Sequence, residues 1–202
     1  MSTFAATSEL SEQSTSSDSE HSYDTDYDDD AVDDVDTGSV EPHVGRKVVM
    51  VTGVAGFIGS HCAERLLARG DIVIGVDEVN NYYDVRLKRA NLARLERLAA
   101  ASENFKFFEG DICDKDFITR IFETEQPRWM LHLAARAGVR PSIEDPFVYI
   151  HSNIEATTRL LELARVHGCE HFVFASSSSV YGGSQKSLFS EADDVSNPAS
   201  SC

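Results

Sequence analysis

Lysine and arginine are absent from the first 45 residues of this 202-residue chain, which hold 13 acids. A transit peptide is Arg-rich and acid-poor, and a secretory signal needs an apolar core, so neither reading fits this segment. Large apolar side chains are also scarce there among the Ser, Thr and Asp. Such a stretch cannot bury enough surface to offset its ordering entropy, so residues 1–45 are expected to form a disordered acidic tail. Two readings of the tail stay open. It is either a solvating extension or a contact arm for a basic partner, with Ser16, Ser17 and Ser19 beside Asp18 and Glu20 as phosphorylation targets. No apolar run approaches the ~20 residues of a membrane span. Cysteine is sparse: Cys62, Cys113, Cys169 and Cys202 are scattered, with no C-x-x-C pair and no His at ligand spacing. This pattern gives no metal site and suits a reducing, cytoplasmic setting. Beyond residue 45 the chain carries 21 acids against 18 bases, so it is nearly neutral and offers no nucleic-acid surface.

What is present begins at residues 48–59, VVMVTGVAGFIG. Val48 to Val51 form the short apolar run that a parallel strand covered on both faces requires. Gly53, Gly56 and Gly59 follow at intervals of three, where a backbone must turn tightly or let a phosphate come close. A helix then begins, with Ile58, Cys62 and Leu66 expected on its inner face. Its free N–H groups and positive dipole end point at the turn, which makes a seat for an anion. A second strand, Ile72 to Val76, ends on Asp77, 18 residues after Gly59. A carboxylate there can accept both hydroxyls of an adenosine ribose and repel a 2′-phosphate. No Arg or Lys lies between Asp77 and Asp84, so NAD is favoured over NADP.

Strand-like segments at 47–52, 71–77, 104–109, 128–133 and 170–175 alternate with helix-like segments at 57–69, 85–101, 114–125 and 147–167. This alternation predicts an α/β fold, a doubly wound parallel sheet with right-handed crossovers. On the 85–101 helix, Leu92, Leu95 and Leu98 are expected inward, and Arg86, Lys88, Arg89, Arg94 and Arg97 largely outward and solvated. Pro141 and Pro146 mark a loop at the carboxyl edge of the sheet, where ligands bind in such folds. The run Ser176 to Ser179 after the fifth strand is either a set of hydroxyls for a substrate or an ordinary polar loop.

The runs VTGVAGFIGSH, VDEVNNYYDVRLKRANL, GDICD, LHLAARAGVRPSIEDP, SNIEATTRLLELA and FVFASSSSVYG occur in one order. In that order they resemble the NAD-dependent epimerase/dehydratase group of the extended short-chain dehydrogenase/reductases, and within it the UDP-glucuronate 4-epimerases. The resemblance covers residues 46–202, read as one NAD-binding Rossmann domain, incomplete before its last strands and substrate domain.

The resemblance implies a role for individual positions. Gly53, Gly56, Phe57, Ile58 and Gly59 would wrap the pyrophosphate, and Asp77 and Asn81 would hold the adenosine side. Asp111 and Ile112 would flank the adenine, while Leu133, Ala134, Ala135 and Ala137 would line the strand edge beside the cofactor. Asn153 would support the active-site helix near the cofactor. Ser177 matches the catalytic Ser/Thr, and Arg140 and Ser142 would face the sugar. The implied partner is a nucleotide sugar, with a homodimer for the complete protein. In this family a tyrosine, helped by a lysine four residues on, removes the proton of the sugar's 4-hydroxyl. Free tyrosine has a pKa near ~10, so the lysine and cofactor must lower it. Here Asn197-Pro198-Ala199-Ser200-Ser201 leads to Cys202 at the tyrosine's place. The chain is therefore expected to be an amino-terminal fragment, inactive alone. A non-catalytic NAD-binding module, or a short form acting through its acidic arm, are the alternatives.

Overall fold

The computed structural model describes residues 45–198, so the acidic tail and the Ala199–Cys202 positions lie outside the described residues. Five parallel strands form one sheet: β1 (Val48–Thr52), β2 (Ile72–Asp77), β3 (Phe105–Glu109), β4 (Trp129–His132) and β5 (His171–Phe174). Their order is β3-β2-β1-β4-β5. The chain moves outward through β2 and β3 on one side of β1, then returns to build β4 on the other. This reversal leaves a crevice beyond the carboxyl ends of β1 and β4, the usual ligand position in an open α/β sheet.

Alternation along β1 shows how the sheet is covered. Val49 and Val51 join a core with Ala63 and Leu67 of α1 (Phe57–Ala68) and Leu92 and Leu95 of α2 (Val85–Ala99). Met50 points the other way, into a core with Ile118, Ile121 and Phe122 of α3 (Lys115–Glu125). Because successive side chains serve opposite faces and both faces are covered, Val48 to Val51 read as an unbroken hydrophobic run, ended by the buried Thr52, whose hydroxyl bonds His132. Asp114 caps α3 by accepting the N–H groups of Asp116 (3.0 Å) and Phe117 (3.1 Å).

Three helical expectations are corrected. Ile58 is exposed, and α1 buries Gly59, Ser60, Ala63 and Leu67 instead. The small residues at its start let its backbone lie against the glycine turn. Leu98 of α2 is half exposed; the buried stripe runs through Lys88, Leu92, Leu95 and Ala99. The 147–167 segment is not one regular helix. After a short α4 (Val139–Glu144) come α5 (Pro146–Tyr149), a π-helical turn over Ile150–Glu155, and α6 (Ala156–Val166), which packs Ala156, Leu160 and Ala164 into the α3-side core. Among the described residues no helix is long and apolar enough to cross a membrane.

Candidate functional site

A cavity opens beyond the carboxyl ends of β1, β2 and β4, as the topology requires. Gly53 and Gly56 form its floor, Asp77, Lys88 and Asp111 its far end, and Leu133, Ala134 and Ala135 its near wall. Gly53 sits at φ +70°, and a Cβ there would lie 2.8 Å from the Ala134 nitrogen. At Gly59 a Cβ would fall 2.1 Å from the Gly53 carbonyl oxygen, so the turn and the first coil of α1 touch backbone to backbone. Gly56, at the N-cap of α1, has extended backbone, and no side chain caps the helix; its first turn contains no acid. The N–H groups of Phe57, Ile58 and Gly59, which a helix start leaves without intrahelical partners, are therefore free to meet an anion. The side chains of Phe57 and Ile58 are exposed and add nothing to the cavity wall.

Asp77 is buried at the tip of β2, where one carboxylate oxygen accepts the Ala55 N–H (3.1 Å) and the other the Val79 N–H (2.8 Å). These bonds fix the carboxylate between the glycine turn and the β2–α2 loop. Lys88 reaches the same place from α2. Its side chain is buried, with Nζ 2.9 Å from Asn80 Oδ1, 4.0 Å from Asp77 Oδ1 and 4.7 Å from the centre of the Tyr83 ring. Partial burial, and then the Asp77 charge, raise the Tyr83 hydroxyl above its usual pKa, so it stays a neutral phenol.

This arrangement corrects the sequence reading twice. Lys88 is not on a solvated face, because one long stem can run from α2 along apolar surface to the acid. The Asp77 end of the cavity therefore does contain a cation, supplied from beyond the interval between Asp77 and Asp84. The loop register is also one residue off: Asn80 lines the cavity and binds Lys88, while Asn81 is exposed outside it.

Asp111 and Ile112 line the same cavity. Burial raises the Asp111 carboxyl, but the Cys113 N–H (2.7 Å) and His151 Nε2 (3.0 Å) outweigh it, and its pKa falls below the usual value. His151 is correspondingly raised by its bonds to Asp111 and then Glu155. Although no ligand spacing is visible in the sequence, donor atoms of Asp111, Cys113 and His151 come within 4.8 Å of one another. Burial and neighbouring acids push the Cys113 thiol up to about 12, and it donates to the His151 carbonyl (3.1 Å), so it is held as a protonated thiol.

Ala137 and Asn153 stand just behind the cavity wall. Asn153, on the π-helical turn, accepts the Arg136 N–H (2.8 Å) and donates to the Arg136 carbonyl (3.0 Å), which clamps the loop after β4. The Ala137 carbonyl accepts the hydroxyls of Tyr82 and Tyr149. Ser177 is exposed beyond β5 and caps a short 3-10 turn, accepting the Ser179 N–H at 3.2 Å. Arg140 is exposed on α4, but Ser142 is not presented to a ligand. It is buried with its hydroxyl donating to the Val139 carbonyl (2.6 Å), because a helix forms where a loop was expected. Lys88, Asn80, Tyr82, Tyr83, Glu78 and Arg136 also line the cavity and were not singled out from the sequence. For Asn80, Tyr82, Tyr83 and Lys88 the one signal is the NNYYDVRLK run, whose residues only the loop's path brings together; Glu78 and Arg136 lie outside it.

A family model described as GDP-mannose 4,6 dehydratase matches residues 50–201. The chain belongs to this family. Among family relatives, it is 48% identical over 151 residues to the UDP-glucuronate 4-epimerase of Thermodesulfobacterium geofontis, covering 75% of this chain and 45% of that protein. It is 46% identical over 153 residues to UDP-glucuronate 4-epimerase 4 of Arabidopsis thaliana, with 75% and 34% covered. The solved UDP-glucose 4-epimerase of Bifidobacterium longum, in complex with NAD+ and UDP, superposes with a TM-score of 0.64 at 31% identity, over 73% of this chain and 42% of that one. The UDP-Glc/GlcNAc 4-epimerase of Campylobacter jejuni gives 0.65 at 30%, with 76% and 44% covered. The chain thus spans less than half the length of these relatives.

Proposed function

We propose that this chain is the dinucleotide-binding part of an NAD-dependent nucleotide-sugar 4-epimerase acting on the UDP-glucuronate/UDP-galacturonate pair. The observation that carries the cofactor reading is the joined set of β1, glycine turn, uncapped α1 and buried Asp77. The turn has no room for a side chain at Gly53 or Gly59, the unpaired N–H groups at the start of α1 suit an anion, and a fixed carboxylate waits at the end of β2. NAD held there would supply reversible hydride transfer at sugar C4. The chain's own residues do the holding: Phe57, Ile58 and Gly59 N–H groups on the diphosphate, Asp77 and Lys88 on the adenosine ribose, and Asp111 on the adenine. Ser177, at the carboxyl edge, would hydrogen-bond the sugar, with Arg140 of α4 as a second polar contact. The uronate substrate rests on the likeness to UDP-glucuronate 4-epimerases at 46–48% identity.

Cofactor choice is set by Asp77. Asp77→Ala removes the carboxylate that accepts the ribose hydroxyls and leaves Lys88 without its acidic partner. The ratio of NADP to NAD affinity is expected to rise by about tenfold or more, the worth of one charge-assisted contact. Parallel calorimetric titrations with both dinucleotides measure it, and an unchanged ratio would remove Asp77 from the ribose site.

The 202 residues alone are expected to leave UDP-glucuronate unchanged. By the resemblance, Cys202 falls where the family places its tyrosine, and a thiol reaches less far than a phenol where hydrogen-bond distance comes first. NMR detection of UDP-galacturonate from the purified 202-residue chain with NAD would contradict this. The epimerase reading itself is tested by joining residues 46–198 to the carboxyl-terminal part of the Thermodesulfobacterium geofontis enzyme. A folded chimera that binds NAD should interconvert the two uronates; one that binds NAD and does not would overturn the substrate assignment.

A further inference from the structure

β1 lies between β2 and β4 in the sheet, so the loops that follow β2 and β4 flank the glycine turn from opposite sides. In this chain they meet above it. Arg136, beyond β4, places Nη2 3.8 Å from Glu78 Oε1, immediately beyond β2, and its guanidinium carbon lies 5.1 Å from the centre of the Tyr82 ring. The Tyr82 hydroxyl donates to the Ala137 carbonyl, and Asn153 bonds both backbone groups of Arg136. The guanidinium is thus carried over the carboxyl end of β1 by contacts on both sides. Its Nε is buried and has no hydrogen-bond partner, and the distance to Glu78 is longer than a hydrogen bond. Such a group carries a desolvation cost that only an acceptor relieves.

The seat beneath lacks a cation of its own. Residues 53–59 contain no Lys or Arg, and Lys88 is committed to Asn80 and Asp77 at the other end of the cavity. We infer that the Arg136 guanidinium is a binding group for the dinucleotide's diphosphate, held over the glycine turn by Tyr82 and competed for by Glu78. This rests on the dinucleotide reading above and adds to it the charge that neutralises the phosphates. Glu78 acts as a stand-in acid: it keeps the guanidinium paired at 3.8 Å until a diphosphate offers closer, bidentate acceptors.

Binding of ADP and of adenosine to the full chain, by calorimetry, separates the diphosphate from the rest of the ligand. Arg136→Gln is expected to weaken ADP by about tenfold or more and to leave adenosine within about twofold. Glu78→Gln, which frees the guanidinium, is expected to tighten ADP, an effect that a merely structural role for the Glu78–Arg136 pair would reverse. Equal weakening of both ligands by Arg136→Gln, no effect on ADP, or weaker ADP binding in Glu78→Gln would each overturn the inference. Binding of neither ligand by the unaltered chain would overturn the dinucleotide reading and this inference with it.

Discussion

Gly56→Val is expected to abolish NAD binding with the fold intact, and Gly59→Ala to damage the fold itself. The two glycines stand three residues apart in one turn, yet they are glycine for different reasons. Gly56 has φ −72° and ψ 174°, extended backbone that any residue adopts, so strain is not the issue. A Cβ there would lie 3.1 Å from the Gly53 carbonyl oxygen and 3.6 Å from the Tyr83 hydroxyl, a tight but accommodable fit. The valine methyls beyond it would occupy the cavity floor where the diphosphate must approach. Calorimetry should therefore detect no NAD binding while the thermal midpoint stays close to that of the unaltered chain. At Gly59 the Cβ would be 2.1 Å from the Gly53 oxygen and 2.8 Å from its carbonyl carbon, both backbone atoms that cannot swing aside. The start of α1 would have to separate from the turn. Overpacking of this kind costs about 1–3 kcal/mol and sometimes more, out of a net stability of about 5–15 kcal/mol. A lowered midpoint in Gly59→Ala beside an unchanged one in Gly56→Val is the expected pair; NAD affinity retained in Gly56→Val would move the diphosphate elsewhere.

The second large effect is acid destabilisation through His132. This residue ends β4, is buried, and is bonded on both ring nitrogens, by Thr52 Oγ1 (2.6 Å) and Thr157 Oγ1 (3.0 Å). It ties β1, β4 and α6 together as a neutral imidazole. Among the described residues no carboxylate bonds to it, and burial pushes its pKa from the usual 6.5 down to about 4. In the unfolded chain His132 takes up a proton near pH 6.5, while in the folded chain it does so only near pH 4. The unfolded state thus binds more protons throughout that window, and stability falls as the pH is lowered through it. A shift of this size corresponds to about 3 kcal/mol. His151 works in the opposite direction, since its acids raise its pKa, but it is half exposed and solvent screens the pair. The carboxylates with lowered pKa, such as Asp111 and Glu109, begin to contribute only near their ordinary values around 4. Urea unfolding between pH 6.5 and 4.5 should accordingly show a loss that His132→Asn flattens. An unchanged slope in that variant would place the acid sensitivity elsewhere.

Much of this architecture was readable in the sequence because its determinants are local. The apolar runs of β1 and β2, the three-residue glycine spacing and the acid at the end of β2 each report on backbone within a few residues of themselves. All five strands fall within a residue or two of their expected bounds. What was misread depends on side-chain reach or on helix phase. Lys88 reads as one more basic residue on a basic helix, and only the distance from α2 to the β2 tip shows that it is buried. Ile58 was assigned inward by apolarity, whereas close approach of α1 to the glycine turn selects the small side chains of Gly59, Ser60 and Ala63. The π-helical turn has no composition signal, yet it sets Asn153 against the backbone of Arg136. Arg136 itself was passed over because its meaning depends on Glu78, 58 positions earlier in the chain, and no periodicity connects the two.

The most direct test of the central claim is a crystal structure of the chain grown with NAD. The account places the diphosphate within hydrogen-bond reach of the Phe57, Ile58 and Gly59 N–H groups, with the adenosine ribose on Asp77 and the adenine beside Asp111 and Ile112. A dinucleotide bound away from the glycine turn, or with its adenosine ribose clear of Asp77, would contradict it.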